Sequence, residues 1–193
     1  MEELILKEDD FVGKGSERVC YIHPDDKNKA IKVSYEQNQG RSKQTDLEIK
    51  TYNELLKKEK MSWKHLPRYY GKVQTNMGDG FVVELIRDFD NEVSKSFAYY
   101  LNKNGVEIYA NELADYKEYF LKYGVIFNFG MMPKNILLRK TSEITAELVL
   151  IDGLGDVSHF TILNGFKWFS SRRINRRWDK FVNKYLTITK WKE

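Results

Sequence analysis

The feature that most constrains how this chain can fold is a lysine, Lys32, set in the short apolar run of residues 30–33. Apolar and β-branched neighbours favour a strand there, and successive side chains of a strand point to opposite faces of a sheet. An unpaired ammonium group is costly to bury, so the fold has to supply an anionic partner. The helical pattern of residues 45–58 offers Glu48, which shares a face with apolar residues. The sequence therefore predicts an ion pair between Lys32 and Glu48.

Glu48 has a competing role near the start of the same helix. The run from Thr45 to Glu48 fits a capping box, in which the glutamate bonds back to the backbone of the first residue. The apolar face is predicted to consist of Tyr52, Leu55 and Leu56. The residues alone leave both roles of Glu48 open.

Strand patterns fill the first part of the chain and helical patterns most of the second. Strands are predicted at 4–12, 19–22, 30–33, 66–73 and 80–86, with the 45–58 helix between the third and the fourth. Further helices are predicted at 96–102, 111–123 and 165–186, and a small hairpin joins 135–138 to 148–151. The prediction is an α+β fold in which a five-stranded antiparallel sheet with one helix precedes a mostly helical part.

Four separated features follow one another in an order that resembles protein kinases. They are a glycine turn with Gly13 and Gly15, Lys32 in a strand, Glu48 on the next helix, and the pair Asn135 and Asp152 flanking the late hairpin. Glycines let the backbone approach phosphates closely, although an ordinary hairpin turn explains this one equally well in isolation. A turn asparagine and a strand-ending Asp-Gly are the corresponding ordinary explanations of the late pair.

The kinase resemblance implies a nucleotide site that holds ATP with Mg²⁺. Lys32, Glu48 and Asp152 would be its catalytic residues, and Asn135 and Asp152 would hold the metal. The nucleotide would contact Gly13, Gly15, Ser16, Lys32 and a hinge from Glu84 to Ile86, with Asp88 or Asp90 near the ribose.

The chain departs from the kinase pattern in the catalytic loop. The aspartate expected five residues before Asn135 is replaced by Gly130, and Met132 stands where a lysine is common. Without that base, ordinary hydroxyl phosphorylation is in doubt. Asp156 is a candidate substitute acid or second metal ligand, and a solvated surface carboxylate explains it as well.

Several short blocks together resemble the YrbL family, the PhoP regulatory network proteins. They are the His-Pro turn at 23–24, P-R-Y-Y-G-K-V at 67–73, G-F-V-V-E-L-I-R-D at 80–88 and L-I-D-G-L-G-D at 150–156. The resemblance extends to about residue 160 and implies one kinase-like domain over 1–193, with an N-lobe of about 1–86 and a reduced C-lobe of about 87–193.

The family implies a bacterial regulatory protein linked by name to envelope stress. On that basis we expect an ATP-binding kinase-like protein, either an atypical phosphotransferase or a pseudokinase. The alternative is a non-enzymatic scaffold that acts by docking.

Composition indicates the compartment of the protein and the kinds of partner it can have. One cysteine, Cys20, and the absence of a secretory signal or a long apolar stretch predict a cytoplasmic protein without a transmembrane segment. The net charge of +4 is modest, and much of the excess lies in the last predicted helix. Arginines of this helix form either a solvated face or a contact for an acidic protein or another anionic partner, and nucleic acid is an unlikely ligand. They are Arg172, Arg173, Arg176 and Arg177.

Overall fold

Five strands form one antiparallel sheet in the order β1-β2-β3-β5-β4. The structure, a computed structural model, describes residues 3–15, 17–35, 43–128, 131–155 and 167–187. The strands are β1 (Phe11–Lys14), β2 (Arg18–His23), β3 (Asp26–Ser34), β4 (Tyr69–Thr75) and β5 (Gly78–Glu84). The third strand is therefore central, with β2 on one side and β5 on the other.

Residue alternation along β3 divides its side chains between two hydrophobic clusters. Ile31 and Val33 pack into a small cluster with Leu6 on one face of the sheet. Ala30 belongs to the large core on the other face, and Lys32, two residues further on, shares that face. The lysine is directed inward because of where it falls in the strand.

Helix α1 (Lys43–Leu56) crosses the face of the sheet that carries Ala30. Tyr52 is almost fully buried and stacks on Tyr69, with ring centroids 5.1 Å apart. The helix already includes Lys43, so Thr45 lies inside it and not at its N-cap. Leu56, predicted to lie on the apolar face, is instead half exposed at the last position of the helix.

The second half is mostly helical, as predicted. It contains α2 (Phe97–Asn104), α3 (Ala110–Tyr123), a hairpin of β6 (Ile136–Lys140) and β7 (Ala146–Leu150), and α4 (Lys167–Phe181), which continues as a π-helical turn over Val182–Leu186. Ser96 caps α2 by accepting a hydrogen bond from the amide of Tyr99, and Gly124 ends α3 in the left-handed conformation.

The α+β class, the five-stranded antiparallel sheet and its single helix are confirmed. The predicted first strand is shorter than expected, because the acidic run Glu8–Asp10 forms a 3₁₀ turn before β1. The division of one domain into two lobes near residue 86 stays a prediction. None of the helices in the described ranges has the length and apolar character that crossing a membrane requires.

Candidate functional site

The hairpin of β6 and β7 brings Asn135 and Asp152 to the same end of the second half. Asn135 immediately precedes β6, and Asp152 follows β7 by two residues. Ile136 pairs with Leu150, and the amide of Ile151 donates to the carbonyl oxygen of Asn135 at 2.9 Å. Two residues far apart in sequence are thus fixed next to each other by strand pairing.

Lys32 connects the sheet to both α1 and this hairpin. Its ammonium nitrogen donates to Oε1 of Glu48 at 3.0 Å and to the carbonyl oxygen of Ile151 at 2.5 Å. Glu48 has no exposed surface. The ion pair expected between Lys32 and Glu48 is present, and the capping-box alternative is excluded by where the helix begins.

Arg18, at the start of β2, joins the two carboxylates of the site. Its Nη2 lies 2.8 Å from Oε2 of Glu48 and 2.6 Å from Oδ1 of Asp152. Burial by itself would lower the pKa of Arg18, but the charges of Glu48 and Asp152 outweigh this effect and raise the pKa above its ordinary value. The result is a chain of alternating charges, Lys32, Glu48, Arg18 and Asp152, around a mostly buried centre.

The segment after Asp152 is seated tightly against its surroundings. Gly153 and Gly155 have φ angles of 87° and 97°, which L side chains rarely adopt. The carbonyl of Gly153 accepts from the amide of Asn128, and the amide of Gly155 donates to the carbonyl of Ile126. These contacts fix the position of Asp152 relative to the segment at 126–128.

A cavity of about 930 Å³ opens beside this cluster. Its size is in the usual range for a ligand pocket, about 300–1,000 Å³. Among the described residues, the apolar part of its wall includes Cys20, Ala30, Val83 and Leu137. Of the predicted site residues, those that line it are Gly13, Gly15, Lys32, Glu84, Ile86, Asn135 and Asp152. Glu48 pairs with Lys32 and is not among the lining residues. The candidates Ser16 and Asp156, and Gly130 at the position of the missing base, lie outside the described residues.

The glycine turn presents an open surface to this cavity. A Cβ atom added at Gly13 would meet no atom within 4 Å, and one at Gly15 would meet only the carbonyl of Arg18, at 3.8 Å. Neither glycine has a left-handed backbone among the described residues. The fold itself therefore does not require glycine at these positions, and the space in front of them is free for a ligand.

The predicted hinge is tied to its surroundings through both side chains and backbone. The amides of Glu84 and Leu85 donate to the carbonyl oxygens of Arg68 and Asn28. The carboxylate of Glu84 pairs with Arg139 at 3.2 Å, and the carbonyl oxygen of Ile86 accepts from the amide of Ser94. Asp88 accepts from the hydroxyl of Ser94 at 2.5 Å and from the amide of Lys140 at 3.0 Å. Asp88 is thus engaged in holding the turn at 86–94, and neither Asp88 nor Asp90 is among the described residues that line the cavity.

The donors around Asp152 favour a guanidinium group at the oxygen where the kinase resemblance places Mg²⁺. Oδ1 of Asp152 already accepts from Arg18 and, at 2.8 Å, from the amide of Gly153. No group of three or more His, Cys, Asp or Glu side chains in the described ranges is arranged to hold a metal ion. Mg²⁺ prefers nearly ideal octahedral oxygen coordination, and here a guanidinium group competes for the one acidic ligand.

Comparison with known sequences decides the family. The sequence profile of the "PhoP regulatory network protein YrbL" family matches residues 4–186. The chain is 30% identical over 180 residues to the YrbL proteins of Escherichia coli (strain K12) and Shigella flexneri, a match covering 92% of this chain and 85% of each relative. The chain belongs to the YrbL family.

A solved structure resembles this YrbL-family chain more distantly. It is a cysteine-to-alanine mutant of the PknI kinase domain from Mycobacterium tuberculosis, with a TM-score of 0.48 and 13% identity. The match covers 74% of this chain and 57% of that chain. Because this similarity is so low, it supports no statement about the cleft of the YrbL-family chain.

The basic helix of the YrbL-family chain differs from the prediction at one position. Arg172 and Arg176 are exposed on α4 and Arg173 is half-buried, but Arg177 is only 4% exposed, and its Nη1 donates to the carbonyl oxygen of Phe127. Arg177 is therefore not available to an external partner, and its inclusion in the predicted anionic contact was wrong. It lies between Ile174 and Phe181 in the buried stripe of the helix, three residues from one and four from the other.

Arg18 is the residue of this YrbL-family site that sequence reasoning missed. No role was predicted for Arg18, which follows the glycine turn by three residues. A signal was available, because an arginine that begins a strand next to a cleft needs anionic partners as much as Lys32 does.

Proposed function

We propose that this chain binds ATP in the cleft and acts as a nucleotide-dependent regulatory protein of the kind its family name describes. The observation that carries the proposal is the convergence of Lys32, Asn135 and Asp152 on one cavity, with Glu48 buried behind the lysine. Local patterns bring these residues together only in two pairs, Lys32 with Glu48 and Asn135 with Asp152. The meeting of the two pairs at one cavity is a property of the whole fold.

The cavity has an apolar part and a charged part, as a nucleotide needs. Cys20, Ala30 and Leu137 offer apolar contacts for a planar base, next to residues 84–86. Lys32 is held at the charged end by Glu48 and by the carbonyl of Ile151, which fixes its ammonium group for a phosphate oxygen. Two exposed lysines of the wall, Lys14 and Lys134, add positive charge.

The charged groups favour binding without phosphoryl transfer. The carboxylates among the described lining residues are Glu17, Glu84 and Asp152. Glu84 pairs with Arg139, and Asp152 pairs with Arg18. Glu17 lies in the glycine turn and not in the loop that leads to Asn135. None of the three is placed as the general base of the kinase catalytic loop, which supports a pseudokinase over a phosphotransferase.

Calorimetric titration of ATP into the wild-type chain and Lys32→Met tests the proposal. Charge-assisted hydrogen bonds contribute about 1.5–3 kcal/mol, so the variant is expected to lose about tenfold to a hundredfold in affinity. Lys72→Met is the matched control, because Lys72 is an exposed lysine of the same sheet that does not line the cavity. If ATP does not bind the wild-type chain with or without magnesium, the proposal is wrong.

Release of phosphate from ATP by the same purified protein separates the two forms of the proposal. A pseudokinase gives a rate equal to that of Lys32→Met. A wild-type rate that disappears in Lys32→Met would instead identify an atypical phosphotransferase, and the argument from the occupied carboxylates would fail.

A second candidate function, docking of an acidic protein through α4, is favoured by one exposed stripe. Trp168 is 68% exposed, and the guanidinium of Arg172 lies 5.7 Å from its ring centroid. Arg176 and Lys180 continue this stripe at four-residue spacing and are also exposed. An exposed aromatic residue flanked by cations is typical of a protein contact.

Binding of a fluorescent polyglutamate peptide tests this candidate. The double variant Arg172→Glu with Arg176→Glu is expected to abolish the binding, and added salt is expected to weaken it in the wild type. A charge reversal at two exposed lysines away from α4, Lys57→Glu with Lys72→Glu, is the control. Equal losses in both variants would show a nonspecific charge effect and contradict docking at α4.

A further inference from the structure

Arg18 takes the place beside Asp152 that a divalent cation would need. We propose that Arg18 is the resident cation of the cleft, so that the site binds the phosphates of a nucleotide without a divalent metal. This inference rests on the proposed function, and it specifies the form of the ligand, which is the metal-free nucleotide.

The first step is that Arg18 is a fixed part of the site. Its side chain is 8% exposed, and its Nη2 contacts carboxylates from two different elements, Glu48 of α1 and Asp152 after β7. A guanidinium group stays charged at all relevant pH values. Arg18 therefore supplies a permanent positive charge at the cavity wall, where it is one of the lining residues.

The second step is that the guanidinium group has donor capacity left over. Within the part of the chain that the structure describes, Nη1 of Arg18 is buried and has no hydrogen-bond acceptor. A buried donor without a partner costs about 1–3 kcal/mol. Nη1 is closed off from the cavity in this conformation, so a phosphate oxygen would accept from it after a small rotation of the side chain. The planar fork of arginine suits phosphate geometry.

A metal ion at Asp152 would be electrostatically unfavourable beside Arg18. A metal ion on Asp152 would compete with the 2.6 Å contact to Arg18 and would place two cations side by side. Arg18 would then keep only Glu48, which it already shares with Lys32. Like charges at such distances repel strongly when they are partly removed from water. The residues around Asp152 thus favour the guanidinium over a metal.

Titration of ATP in excess EDTA and in saturating magnesium chloride tests the inference. The wild type is expected to bind ATP more tightly in EDTA than in magnesium, because saturating magnesium converts most of the nucleotide to its metal complex and leaves little of the metal-free form. Arg18→Ala is expected to lose about tenfold or more in EDTA and less in magnesium, because Asp152 becomes free to hold a metal. Arg68→Ala, at an exposed arginine outside the cavity, is expected to behave as the wild type.

A direct metal readout accompanies the titration. Electron paramagnetic resonance of Mn²⁺ in the presence of ATP is expected to detect no protein-bound metal in the wild type and to detect it in Arg18→Ala. Circular dichroism checks that the variant is folded, and Arg18→Lys, which keeps the charge, serves as the second variant if the alanine protein does not fold. Arg18→Lys is expected to retain binding in EDTA better than a neutral Arg18→Gln.

Different results would contradict the role of Arg18 and the binding of ATP. Wild-type binding that requires magnesium, or Mn²⁺ held by the wild type, overturns the role of Arg18 and leaves nucleotide binding standing. Absence of binding in both buffers overturns both. Equal affinities of wild type and Arg18→Ala in EDTA overturn the role of Arg18 alone.

Discussion

Gly155 lies so close to α1 that a methyl group added to it would be 2.7 Å from the hydroxyl oxygen of Thr51 and 2.8 Å from Cγ of Leu47. These contacts join the segment after Asp152 to the helix that carries Glu48. The position of one acidic residue of the cleft therefore depends on the position of the other.

Replacing Gly155 with alanine is expected to destabilise the protein. The new methyl group clashes with both α1 residues, and the φ angle of 97° is unfavourable for alanine. We expect a loss of at least about 2 kcal/mol in the free energy of unfolding, measured by urea denaturation. A change below about 0.5 kcal/mol, the usual range for surface substitutions, would mean that the segment is not packed against α1.

Replacing Gly13 with alanine is expected to affect binding and not stability. A methyl group there meets open space in the free protein, so the free energy of unfolding should stay within about 0.5 kcal/mol of the wild type. If phosphates lie against this strand, the methyl group keeps them away and lowers the affinity for ATP by about tenfold. Calorimetry on the same preparation measures this. An unchanged affinity would place the phosphates elsewhere in the cavity.

Replacing Glu48 with glutamine is expected to destabilise the charged cluster. The fully buried carboxylate balances both Lys32 and Arg18, which remain charged when it is neutralised. Breaking a buried ion pair from one side costs about 3–5 kcal/mol, and we expect about 3 kcal/mol here because both cations keep some exposure. Glu54→Gln, at an exposed position of the same helix, is the control. Equal effects of the two changes would contradict the cluster.

Acidification from about pH 7 to pH 5 is expected to destabilise the protein through His65. Burial lowers the pKa of His65, although the carbonyl of Leu148 and the carboxylate of Asp115 oppose the effect. The folded state then binds fewer protons than the unfolded state in this range, so stability is lost as the pH falls below the ordinary pKa of histidine. Lys64 and His65 outweigh burial and lower the pKa of Asp115, whose contribution is lost only at more acidic pH.

Urea denaturation at several pH values checks this dependence. His65→Gln is expected to flatten the slope of unfolding free energy against pH, and His23→Gln, at the last residue of β2, is the control. A slope that is the same in His65→Gln and the wild type would assign the pH dependence to other groups.

The pairing of Lys32 with Glu48 could be predicted because it depends on two local periodicities. The period of two along β3 decides which face carries the lysine, and the period of 3.6 along α1 decides which face carries the glutamate. Once both faces are buried against each other, the contact follows. The placement of Asn135 and Asp152 also followed from a local feature, the short hairpin between them.

The contacts of Arg18 could not be predicted in the same way. Its partner Asp152 is 134 residues away in sequence, and no periodic pattern relates the two. Arg177 is a different case, because its spacing from Ile174 and Phe181 already placed it in the apolar stripe. Its charge favoured an exposed position, but Arg177 is buried because Ile174 and Phe181 on the same face of the helix are buried.

The contact from Arg177 to the carbonyl of Phe127 has a practical consequence for anyone who shortens this chain. Phe127 also forms an isolated β-bridge with Leu154, which lies two residues after Asp152. The last helix therefore holds the segment after Asp152 in place through Phe127. A truncation soon after Gly155 keeps all the described residues that line the cavity and still removes this support. The smallest fragment worth expressing for binding studies therefore extends through Phe181, whose ring is also part of the core.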